Sequence, residues 1–77
     1  MYILSKNKKE ILKIVKVYVS KNYGVKKDEK FAIVGTSLEQ SLSATVLGRY
    51  PTEEAALIEL EHIFTAIKNG ENIYAIR

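Results

Sequence analysis

The sequence predicts an α+β fold: a small antiparallel meander sheet, one C-terminal amphipathic helix packed on one face of it, and a short final strand. Three observations lead there. Residues 53–68 place Ala56, Leu57, Leu60, Ile63, Phe64 and Ile67 at spacings of one, three and four, an apolar stripe of helical period. The chain before them is a series of short runs rich in β-branched residues, separated by polar stretches. A helix with one apolar stripe must bury it against a second layer, and those strands supply one.

Taken in order, residues 1–4 are apolar and short and read as a first strand, and Ser5-Lys6-Asn7-Lys8-Lys9 reads as a polar turn. Glu10-Ile11-Leu12 then returns as a hairpin arm. Residues 13–20 fit two patterns. Ile11, Ile14, Val15, Tyr18 and Val19 satisfy a helical stripe, with Asn7 and Glu10 as a capping box and Gly24 as terminator. Val15, Val17 and Val19 also alternate with Ile14, Lys16 and Tyr18, and the β-branched composition favours a strand. Residues 22–30 are a hydrophilic connection containing Gly24. Phe31-Ala32-Ile33-Val34 makes a compact strand, closed or bent at Gly35-Thr36. Residues 37–43 are too short for a standard helix and too polar for a core strand. Residues 43–50 form the last strand before the helix, with Val46 and Tyr50 on one side and Leu47 on the other. Gly48 marks a bulge or a close backbone approach. Thr52 is placed as helix N-cap behind Pro51, Glu53 and Glu54 complement the helix dipole, and Asn69-Gly70 is the stop. Ile73-Tyr74-Ala75-Ile76 is a brief edge strand.

Seventy-seven residues allow one domain, 1–77, with a thin core, near the size where a fold is marginal without help. No cysteine supplies a staple, and one histidine makes a zinc site an unsuitable expectation. No apolar window approaches the ~20 residues of a membrane span, and no secretion signal is recognisable, so the expectation is a cytoplasmic chain with no membrane partner. The net charge of +3 is uneven. Residues 1–30 hold nine lysines against Glu10, Asp28 and Glu29, giving +6, while residues 31–77 hold Arg49, Lys68 and Arg77 against six glutamates, giving −3. Lysines of this kind solubilise a sheet and protect its edges, or form a positive face for a polyanion.

The segment LGRYPTEEAALIELEHIFTAIKNGENIY resembles the C-terminal half of a family of very small, mostly uncharacterised proteins of low-GC Gram-positive bacteria and their phages. Leu47, Gly48, Tyr50, Thr52, Glu53, Glu54, Ala55, Leu60, Ile63, Gly70 and Tyr74 carry it, with a looser N-terminal match at Glu10-Ile11-Leu12 and Val17-Tyr18-Val19. The chain departs from the pattern in residues 22–30 and in ending Ala75-Ile76-Arg77 rather than in proline. The resemblance implies a meander sheet with one packed helix and brings no catalytic or binding residue with it.

Chemistry is sparse. A nucleophilic catalyst needs a base with an orienting group, and the only histidine, His62, sits beside the helical stripe between Glu59 and Glu61 as a boundary residue. Those carboxylates and His62 lack metal-ligand spacing, and Gly35-Thr36-Ser37 lacks the glycine run and lysine of a phosphate loop. The expectation is therefore a non-enzyme without catalytic, metal or cofactor residues and without a small-molecule substrate. Two binding roles remain. Lys13, Lys16 and Lys21 with Tyr18 and Tyr23 offer phosphate contacts and stacking rings for nucleic acid, although the one clear helix is acidic and unsuited to a groove. A sheet covered on one face leaves Ile14, Tyr18 and Leu47 for another protein, and a homodimer through them enlarges an undersized core. Protein interaction or self-association is the preferred expectation, with phosphate-backbone binding as the alternative.

Overall fold

The computed structural model of the chain describes residues 1–21, 29–37 and 44–77. Strands β1 (Tyr2–Leu4), β2 (Ile11–Lys13), β3 (Lys16–Lys21), β4 (Phe31–Thr36) and β5 (Thr45–Tyr50) precede helix α1 (Glu53–Lys68), and β6 (Ile73–Ala75) follows it. The α+β class, the helix against a sheet and the closing strand are those the sequence predicts. The strands divide into two three-stranded sheets, β2-β1-β6 and β3-β4-β5. Within them β1–β2, β3–β4 and β4–β5 are antiparallel, and β6 lies parallel to β1 with Ile3 opposite Tyr74. The β1–β2 hairpin leaves one edge of β1 unpaired, and α1 carries the chain back to fill it.

Residues 11–21 belong to both sheets. The Ile14 amide donates to Met1 O at 2.9 Å, in the first sheet, and the next amide, Val15, donates to Thr36 O at 2.9 Å, in the second. The single strand expected over 13–20 is interrupted there because its pairing partner changes. On the other side, the β1–β2 turn is organised by Ser5 and Asn7: Ser5 Oγ donates to Asn7 Oδ1 at 2.7 Å, and the Lys9 amide donates to the same oxygen at 2.9 Å. The Lys6 amide then reaches Leu47 O at 2.7 Å. That carbonyl is free because β5 is bulged: Ile33 faces Gly48 and Val34 faces Val46, leaving Leu47 as the extra residue. The bulge turns Leu47 into the core with Tyr50, correcting the simple alternation expected for this strand. Gly48 is also a close approach, since a Cβ there meets the Tyr50 hydroxyl at 3.1 Å and Ile76 Cγ2 at 3.2 Å.

The core joins Ile3 and Tyr74 of the first sheet with Ile76 just beyond β6, Ile33, Leu47 and Tyr50 of the second sheet, and Ala56, Ile63 and Ala66 of α1. Thr52 caps the helix from an extended backbone, its hydroxyl accepting from the Ala55 amide at 3.1 Å. At the other end Gly70 adopts φ 76°, its amide donating to Ile67 O and the Glu71 amide to Ala66 O, the double-bonded stop that a left-handed glycine permits. The connections expected at 22–30 and 37–43 lie largely outside the described residues.

Candidate interaction surface

The apolar residues of α1 do not all enter the core. The side turned to the sheet is Ala56, Glu59, Ile63 and Ala66, all buried. This side packs the helix against β3, β4 and β5. Of the six residues in the expected stripe, Ala56 and Ile63 belong to this side and Leu60 is half-buried. Leu57, Phe64 and Ile67 are 46%, 64% and 53% exposed, and neighbouring Ile58 is exposed as well. A stripe this wide has more surface than one sheet contact covers, and the edge carrying Ala56, Glu59, Ile63 and Ala66 takes the contact.

The uncovered residues wall an open groove of about 740 Å³ together with Val17 of β3. A smaller recess lined by Met1, Ile14 and Val15 shares Val17, Ile63 and Ile67 with the groove, so the apolar surface continues onto the crossover between the two sheets. Its borders are polarised along the helix. Glu53 and Glu54 stand in the first turn of the helix, Glu61 lines the middle of the groove, Lys68 stands in the last turn, and Lys16 borders the recess.

The residue that replaces an apolar side chain at the centre of the buried side is Glu59, 4% exposed. Its Oε2 accepts from the Tyr74 hydroxyl at 2.8 Å and from the Arg77 amide at 3.0 Å, and its Oε1 lies 3.2 Å from His62 Nδ1. A buried carboxylate is tolerable when its oxygens are hydrogen-bonded. Burial first, then the hydrogen bond and charge of Glu59, raise the Tyr74 phenol to about 12. Burial and the same carboxylate push the Tyr50 phenol further up, and its hydroxyl donates to Arg77 O at 3.4 Å. The cluster fastens β6 to α1. Sequence reading places Glu59 outside the stripe and misses it; the available signal was the row of small residues, Ala56 and Ala66, flanking it at helical spacing. Among the described residues no group of three or more His, Cys, Asp or Glu side chains is arranged to hold a metal ion.

The sequence-derived interface residues do not form one face. Leu47 is 1% exposed and in the core. Ile14 packs against the core from the crossover. Tyr18 lies opposite Val34, which is fully buried, so β4 has no uncovered side for the three to share. The open sheet face belongs instead to the first sheet, where Tyr2, Ile11 and Ile73 are exposed. Of the lysine set, Lys16 and Tyr18 are brought together, the Lys16 ammonium 5.2 Å from the ring centroid. Lys21, an odd number of residues along β3, points to the opposite face. Lys13 is on β2 of the other sheet, and Tyr23 lies outside the described residues.

No protein family, curated protein or solved structure matches the chain.

Proposed function

We propose that the protein is a non-enzymatic binding module of the cytoplasm that engages another protein chain through the apolar groove between α1 and β3. The observation supporting this is the inversion on α1, where Leu57, Phe64 and Ile67 stay in water while Ala56, Glu59 and Ala66 are buried. Fully burying one large apolar side chain is worth about 1.5–3 kcal/mol. A fold of this size that leaves a continuous row of them uncovered has them available for a contact. Polar borders around an apolar centre are the usual anatomy of such a contact. Phosphate-backbone binding has less support: beside the Lys16–Tyr18 pair, Lys21 points to the opposite face of β3 and Lys13 is on the other sheet.

The test is a photo-reactive phenylalanine analogue at position 64, with a control at the exposed Glu71 outside the groove. Irradiation in the native cells is expected to give a discrete protein adduct from position 64 and none from 71. Absence of any protein adduct at 64, the chain itself included, overturns the reading.

A further inference from the structure

Each residue of the outer row, exposed except for the half-buried Leu60, follows a buried one by a single position: Leu57 after Ala56, Leu60 after Glu59, Phe64 after Ile63 and Ile67 after Ala66. One residue is a rotation of about 100°, so α1 bears two parallel seams, one inward and one outward. Both have spacings of three, four and three, the repeat by which two helices interlock side chain into hollow. The inward seam consists of Ala, Glu, Ile and Ala, whereas the outward one is Leu, Leu, Phe and Ile. Large apolar side chains at that spacing fit another helix better than a flat surface.

The row bordering the outward seam says which helix. Glu54, Glu61 and Lys68 recur every seven residues along its solvent side, acidic at the N-terminal end and basic at the C-terminal end. Two such helices laid antiparallel set Glu54 of each against Lys68 of the other, with the helix dipoles also opposed. Laid parallel, the two rows fall on opposite sides of the interface and the Glu54–Lys68 pairing is lost.

We propose that the groove's occupant is a second copy of this chain, its α1 antiparallel to the first about a two-fold axis near Glu61. The inference rests on the protein-binding reading above and names the partner. An isologous contact of this kind closes at two copies. Docking of the outward seam onto the apolar outer face of the first sheet, at Tyr2, Ile11 and Ile73, is heterologous and grows past two copies into a ring or a filament.

Light scattering on the full chain over a concentration series is expected to rise from 8.7 kDa to twice that mass and stop. Phe64→Asp should remain at the single-chain mass with an unchanged far-ultraviolet dichroism spectrum. Because the chain has no cysteine, an equimolar mixture of Glu54→Cys and Lys68→Cys variants should oxidise to a mixed covalent dimer, while neither variant alone forms one. Glu61→Gln, which removes the carboxylate pair at the axis, should strengthen association several-fold. A single-chain mass at every concentration, or growth past two copies, overturns the second-copy proposal. Covalent dimers from either cysteine variant alone, or weaker association of Glu61→Gln, overturn the antiparallel arrangement. A monomer that still gives a photo-adduct with a different protein leaves the binding face standing and removes only its occupant.

Discussion

Glu59 connects parts of the chain that are distant in sequence: the phenol of Tyr74 and the amide of Arg77 converge on one oxygen of a helical side chain. Removing a buried acceptor leaves its donors without partners, which costs more than the hydrogen bond contributes. Glu59→Ala is expected to lower the unfolding free energy by about 1–3 kcal/mol. Glu59→Gln should lose much less, because its amide oxygen still accepts both donors and its NH2 faces His62. Urea titration of the two variants checks this, and equal losses mean that the negative charge, rather than an acceptor oxygen of the right shape, holds β6 in place. Position 59 was not legible because a glutamate in an acidic helix reads as solvated by default. Only the phenol of a strand fifteen residues further on makes it a core residue.

At the scale of the element, α1 was the most legible part of the chain. Its start at Thr52, its span of 53–68 and its stop at Gly70 depend on local chemistry, which sequence displays directly. Gly70 holds φ 76°, and a Cβ placed there meets nothing within 4 Å. Gly70→Ala is therefore expected to cost about 1 kcal/mol through the backbone alone, and Gly70→Asn to recover much of it, since asparagine tolerates the left-handed region. Thermal unfolding of the pair measures this; a loss shared equally by both variants points to a contact instead of a conformation. What the element did not disclose was its orientation. Six apolar residues defined the stripe, yet the width of that stripe left the buried centre undetermined, and sheet contact selected the edge that carries Glu59. The same limit applies to Leu47, whose inward position depends on a bulge that alternation along β5 cannot anticipate.

Across the whole molecule, the strands were legible one by one and their partners were not. Polar turns and β-branched runs locate strands, but pairing β6 parallel to β1 is decided by which edge remains open after the hairpin forms. The two sheets are tied at the Ile14–Val15 crossover and at the Lys6–Leu47 bond. Deleting residues 72–77 removes β6 and both strong donors to Glu59 together. The expected result is a collapse of amide dispersion in the NMR spectrum across both sheets. Retention of dispersed signals from β3, β4 and β5 shows instead that the second sheet folds by itself.

Chain order gives that β1–β6 pairing a consequence for synthesis. During translation the hairpin of β1 and β2 leaves the ribosome early, but the strand that completes its sheet is made only after α1. Until residues 73–76 emerge, β1 has a bare edge and Glu59 lacks its partners, and contacts so far apart in sequence form slowly. The lysines of the early segment, Lys6, Lys8, Lys9 and Lys13, are then positioned to keep the nascent chain from sticking to its neighbours during that interval.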